Sequence, residues 1–170
     1  MTSVDCVSIA ILTISDSRDE LSDTSGAYLA QAVERDGHRL AGRSIVRDDI
    51  DEIRGNVRRW VEDQAVDVII STGGTGLTGR DVTPEALLPL FDKIIDGFAP
   101  VWHRVSYDAI GLSTLQSRAC AGIIGQTLVF CLPGSNGAVR DGWLKVIGPQ
   151  LDRTTKPCNF VEIMPRLAER

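Results

Sequence analysis

The stretch Val7 to Ser15, Val-Ser-Ile-Ala-Ile-Leu-Thr-Ile-Ser, is apolar and β-branched, without the alternation of a strand that faces water on one side. Such a strand needs both faces covered, which happens chiefly where helices pack on each side of a parallel sheet. The next segments repeat the demand. Thr24 to Asp36 places Tyr28, Leu29, Ala32 and Val33 at helical spacing and stops beside Gly37, the residue a helix C-terminus favours. Leu40 to Val46 is a second strand. Ile50 to Gln64 is a second helix with Ile53, Val57, Trp60 and Val61 on one face, and Val66 to Thr72 is a third strand. This alternation predicts an α/β fold, a three-layer, mostly parallel sheet with helices on both faces.

Local signals place the remaining elements. Asp49 and Glu52 have capping-box spacing at the second helix. Thr83-Pro84-Glu85 supplies an N-cap, a proline for the first turn and an acid at the positive end of the dipole. Pro100 to Ile110 reads as a helix leading into the polar run Ser113 to Arg118. Ala119 to Ile124 and Thr127 to Leu132 are strands separated only by Gly125-Gln126, which predicts one antiparallel strand pair. A final helix runs from about Asn136 to Asp152, and the tail after Thr154 reads as irregular. Trp60, Trp102 and Trp143 sit among apolar residues at helical spacing and are expected in the core or in subunit contacts.

Length and composition bound the function. The 170 residues suit a single domain spanning 1–170, and 43% hydrophobic with 24% charged residues excludes a disordered chain. Apolar runs such as Ile9 to Leu12 fall far short of the roughly 20 residues needed to cross a bilayer, so no membrane partner is expected. Met1 to Asp5 lacks a basic stretch followed by an apolar segment, which predicts a cytoplasmic protein. Cys6, Cys120, Cys131 and Cys158 form no Cys-x-x-Cys pair and are expected as buried, reduced thiols. His38 and His103 stand apart from the cysteines and from each other, which argues against zinc. A net charge of −5 argues against a nucleic-acid partner.

In an open parallel sheet, ligands bind beyond the carboxyl ends of the strands. Here those ends carry Ser15-Asp16, Arg47-Asp48, Gly73-Gly74-Thr75-Gly76 and Pro133-Gly134-Ser135. Glycines there let backbone N–H groups approach an anion, although the same residues also serve a plain strand-to-helix turn. No Gly-Lys-Ser/Thr ends the loop, so it is not a Walker A motif. Gly74, Gly76 and Gly79 fit the dinucleotide pattern, but they follow the third strand rather than the first and precede the helix start. Asp48 and Asp81 lie in these loops without an evident capping duty, unlike Asp49, and two such acids can hold Mg²⁺ against a polyphosphate. Ser117 and Arg118 stand before the hairpin, where they could grip an anion or simply be surface groups.

Taken together, the segments Thr13-Ile14-Ser15-Asp16, Ser71-Thr72-Gly73-Gly74-Thr75-Gly76, Arg80-Asp81-Val82-Thr83-Pro84-Glu85-Ala86, Ser113-Thr114-Leu115-Gln116-Ser117-Arg118-Ala119 and Leu132-Pro133-Gly134-Ser135 resemble the MogA/MoaB family and the related G domain of gephyrin. Asp23-Thr24-Ser25-Gly26 is similar to the MoaB branch. The resemblance implies a molybdopterin-binding fold, assembly as a trimer or a pair of trimers, and transient contact with other cofactor-assembly proteins. It also implies molybdopterin adenylyltransferase activity, with ATP and molybdopterin as substrates and Mg²⁺ as cofactor. The family's acidic pair maps onto Asp48 and Asp81 and its glycine loop onto Gly73, Gly74, Thr75 and Gly76. Pterin and nucleotide contacts map onto Ser15, Asp16, Thr72, Ser117, Arg118, Pro133, Gly134 and Ser135. Two alternatives stand beside it: a pterin carrier without catalysis, and a nicotinamide-dependent oxidoreductase suggested by the glycine pattern alone.

Overall fold

The computed structural model describes residues 6–169, so Met1 to Asp5, on which the N-terminal reading rests, lie outside the described residues. The main elements are β1 (Ser8–Ile14), α1 (Thr24–Arg35), β2 (Arg39–Val46), α2 (Ile50–Glu62), β3 (Val68–Thr72), α3 (Thr83–Leu87), β4 (Lys93–Ile94), α4 (Phe98–Ile110), β5 (Cys120–Ile124), β6 (Thr127–Leu132) and α5 (Asn136–Gly142). The six strands form one sheet in the order β2-β1-β3-β6-β5-β4. The pairs β2–β1, β1–β3 and β3–β6 are parallel, whereas β5 runs antiparallel to both β6 and β4.

β1 is buried along its whole length, and its side chains divide between two cores as strand geometry requires. Ile9 and Ile11 join Leu29 and Val33 of α1, Trp102 of α4 and Val139 of α5 on one face. Ala10, Leu12 and Ile14 join Ile53 and Trp60 of α2 and Leu87 of α3 on the other. The prediction of helices on both faces is therefore met. Trp60, Trp102 and Trp143 are all core residues. Truncating Ile11, which has no exposed surface, to alanine removes contacts within the first core and costs about 2–5 kcal/mol.

Several boundaries and details differ from the sequence reading. The Asp49 carboxylate caps α2 by accepting from the N–H groups of Asp51 and Glu52, each at 2.9 Å, but Glu52 reaches back to the Arg47 N–H rather than to that of Asp49. Thr83 is not the N-cap of α3. It stands one residue inside, and its hydroxyl donates to the Gly73 carbonyl at 2.9 Å, fastening the glycine turn to the helix. α4 begins two residues before Pro100, at Phe98. The last helix is interrupted: Trp143–Ile147 widens into a π-helical turn before Gly148–Gln150. The tail carries two short helical turns, Phe160–Ile163 and Met164–Arg166. β4 has only two residues, too few for any periodic signal.

The expectation of buried cysteines is corrected for three of the four. All four are free, but only Cys131 is buried: Cys120 is partly covered, and Cys6 and Cys158 are exposed, because each of these two lies in irregular chain rather than in a strand.

Candidate functional site

β1 lies between β2 and β3, so the chain leaves it in one direction and crosses back in the other. Such a reversal opens a crevice at the carboxyl ends, because no loop crosses it there. A cavity of about 590 Å³ occupies this place, a volume typical of small-molecule sites. Its lining includes Ser15 after β1, Asp48 after β2, Thr72 to Gly76 and Asp81 after β3, Ser117 before β5, and Pro133, Gly134 and Ser135 after β6.

The glycine turn is shaped by what presses on it. Gly74 has φ +64°, and a Cβ there would lie 3.0 Å from Oδ1 of Asp48 while colliding with the Thr83 hydroxyl. A Cβ on Gly76 would lie 2.7 Å from Oδ2 of Asp81. Both acids thus close on the same bare stretch of backbone, which side chains would fill.

Their surroundings differ. Burial, then the like charges of Asp16 and Asp81, hold the Asp48 carboxyl above the usual carboxylate range. Asp81 accepts the Thr78 hydroxyl at 2.6 Å and the Thr78 N–H at 2.9 Å, and these bonds hold it below that range. Asp81 therefore has the local capping duty that its sequence position did not disclose. Asp16 lies behind Asp48, accepting the Asp48 N–H at 3.2 Å and pairing with Arg80 at 3.0 Å, rather than lining the cavity.

Arg118 does not line the cavity either. Its Nε donates to the Gly76 carbonyl and one Nη to the Asp81 carbonyl, each at 2.8 Å, and its guanidinium also pairs with Glu85. It braces the glycine turn from behind. The Thr72 hydroxyl is likewise committed, donating to the Pro133 carbonyl at 3.0 Å and joining two strand ends.

Among the described residues, the cation that does line the cavity is Arg18, which the sequence reading missed. Its guanidinium donates to the Gly134 carbonyl at 3.2 Å and to the Ser25 hydroxyl. Behind it lies the buried Asp23, which caps α1 and accepts from Thr13 at 2.7 Å and Arg43 at 2.8 Å. Burial pushes the Asp23 carboxyl up, but the bonds from Arg43, Gly26 and Thr13 outweigh it and hold the group low. A buried acid with a helix-capping position, three residues before a glycine that leaves room for it, was the available signal for this support.

With this geometry in place, comparison with known proteins is decisive. Residues 10–153 match the family described as "Probable molybdopterin binding domain". Molybdenum cofactor biosynthesis protein B of Escherichia coli (strain K12) is 49% identical over 152 residues, covering 89% of each chain. The chain belongs to the MogA/MoaB family. A crystal structure of a molybdenum cofactor biosynthesis protein B superposes with TM-score 0.89 at 38% identity, covering 99% of both chains. The tungsten cofactor synthesizing protein MoaB of Pyrococcus furiosus superposes with TM-score 0.80 at 33% identity, covering 97% of this chain and 99% of that one.

Membership in the MogA/MoaB family accounts for the rival glycine pattern. Gly74, Gly76 and Gly79 do not open a helix, since α3 starts only at Thr83 and the intervening residues carry Asp81. Among the described residues no group of three or more His, Cys, Asp and Glu side chains is disposed to hold a metal ion, and no helix is long and apolar enough to cross a membrane.

Proposed function

We propose that this MogA/MoaB family member is a molybdopterin adenylyltransferase, joining AMP from ATP to molybdopterin and releasing pyrophosphate. The observation that carries the reading is the convergence of Asp48 and Asp81 on the glycine turn, at Gly74 and Gly76, inside the crevice. Mg²⁺ binds through one or two protein carboxylates and completes its shell with phosphate oxygens and water, so this donor pair fits it without a third protein ligand. Held there by Asp48 and Asp81, the ion would supply charge neutralisation of the triphosphate.

The chain's own residues do the rest. In the reaction an oxygen of the pterin's terminal phosphate bonds to the α-phosphorus of ATP, and the bond from that phosphorus to the departing pyrophosphate oxygen breaks. The nucleophile is already an anion, so no general base is needed. The protein's task is to align two mutually repelling ligands and stabilise the charge that gathers between them. The Gly73 N–H is held by the Leu132 carbonyl at 3.0 Å, which leaves the backbone N–H groups of Gly74 and Thr75 as the turn's donors to an anion. Ser15, Ser117 and Ser135 offer hydroxyls around the cavity, Pro133 and Gly134 form its wall after β6, and Arg18 adds positive charge to its lining. Arg118 and Asp16 act through the turn and through Asp48 rather than on a ligand.

The test is pyrophosphate release by purified protein given ATP, Mg²⁺ and molybdopterin. Wild type should release it and the Asp48→Asn protein should not. Tight pterin binding without pyrophosphate release in the wild type would instead assign the carrier role.

A further inference from the structure

β5 and β6 are joined by the two-residue turn Gly125-Gln126, and counting outward along their register brings Cys120 directly opposite Cys131. Opposed residues in an antiparallel pair point to the same face with Cα atoms about 4.5–5.5 Å apart, inside the 4.4–6.8 Å span that a disulfide bridges. From this juxtaposition we infer that Cys120 and Cys131 form a thiol-oxidation site, closing to a reversible cross-strand disulfide when the protein meets hydrogen peroxide.

The two sulfurs have unequal roles. Cys131 is fully buried in the core beneath α2 and α3, whereas Cys120 is only partly covered, at the edge of that core. The facing thiol of Cys131 lowers the Cys120 pKa, while the Cys120 thiol and burial raise that of Cys131 well above its usual value. The Arg118 guanidinium, two residues along the chain, further favours the Cys120 thiolate. Cys120 is therefore the attacking group. Its thiolate bonds to one peroxide oxygen, the O–O bond breaks, and the other oxygen leaves as hydroxide and takes a proton to become water. This leaves a sulfenic acid on Cys120. The Cys131 sulfur then attacks the Cys120 sulfur, the S–OH bond breaks, and a second water leaves with the Cys131 proton. The thiols together lose two electrons and the peroxide gains them.

The position ties the bond to the cleft without belonging to it. One residue separates Cys120 from Arg118, the brace of the glycine turn, and one separates Cys131 from Pro133. Closure would fasten together the two strands that carry these rims.

The test uses the full chain carrying Cys6→Ser and Cys158→Ser, which removes the exposed thiols. After hydrogen peroxide, the denatured protein is alkylated and its intact mass and peptides are measured. The expected result is a chain lighter by two hydrogens, with no alkylated cysteine, a peptide linked through Cys120 and Cys131, and recovery of both thiols with dithiothreitol. Two alkylated thiols after peroxide overturn the inference, as does Cys120 at the sulfinic stage beside an alkylatable Cys131. Adding Cys120→Ser tests the order of attack. Cys131 should then stay reduced, and its equally fast oxidation would refute that order.

Discussion

Asp48 and Asp81 press on neighbouring glycines from two sides of one turn, yet their surroundings are opposite. On the Asp81 side, Thr78 donates twice to the carboxylate and Arg118 holds the Asp81 carbonyl, so the acid shapes the loop and is favoured in its charged form. On the Asp48 side, among the described residues no side chain donates to the carboxylate, and burial together with Asp16 and Asp81 disfavours its charge. The difference teaches that one acid also has a structural task in the loop, whereas the other is held in a state that a bound cation would relieve.

Replacing the acids one at a time should break the symmetry that their shared role suggests. The largest effect is expected from Asp48→Asn, which should lower the rate of pyrophosphate release by about 10²–10³-fold or more while leaving the thermal midpoint at neutral pH no lower than that of wild type. Asp81→Asn should lower activity too, but with a stability loss of about 1–3 kcal/mol in urea unfolding, because a charged acceptor of two hydrogen bonds is lost. Equal stability losses in the two variants would erase the distinction. Thr78→Val sharpens it further, keeping both acids while removing one donor, and should cost about 0.5–1.5 kcal/mol with a smaller fall in activity.

The smallest effect is in the pH dependence, and its sign is diagnostic. Asp81 has a folded pKa below the ordinary 3.8, so its contribution to stability is present above that value and disappears as pH falls through the folded pKa. Asp48 has a folded pKa above 3.8, so its contribution is present below that value and is lost as pH rises through the folded pKa. Relative to wild type, Asp48→Asn should be more stable at neutral pH, with the gap closing as pH falls toward 3.8. Asp81→Asn should be less stable at neutral pH, with the gap closing only below 3.8. Unfolding curves across that range measure both, and gaps of the same sign would contradict the assigned environments.

The parts of the molecule that could be read in sequence are those set by local rules. The unbroken apolar character of β1 implied cover on both faces, and Asp49 declared itself as the cap of α2 through its spacing to Glu52. What escaped reading depends on contacts far along the chain. Arg118 meets Gly76 and Glu85, and Arg18 meets Gly134, through folding that no local pattern encodes. β4 is too short to carry a period, and the widened turn at Trp143 keeps helical spacing on both sides of it. Two features were nearer to hand. The Thr78 bond to Asp81 spans only three residues, and a two-residue hairpin turn already places Cys120 against Cys131 by counting.

The assignment of AMP transfer is tested most directly by following the α-phosphorus itself. With ATP labelled at that atom, Mg²⁺ and molybdopterin, the wild-type protein should move the label onto the pterin in step with pyrophosphate release. Label that stays in ATP, or that appears only as free AMP while the pterin is bound, would contradict it.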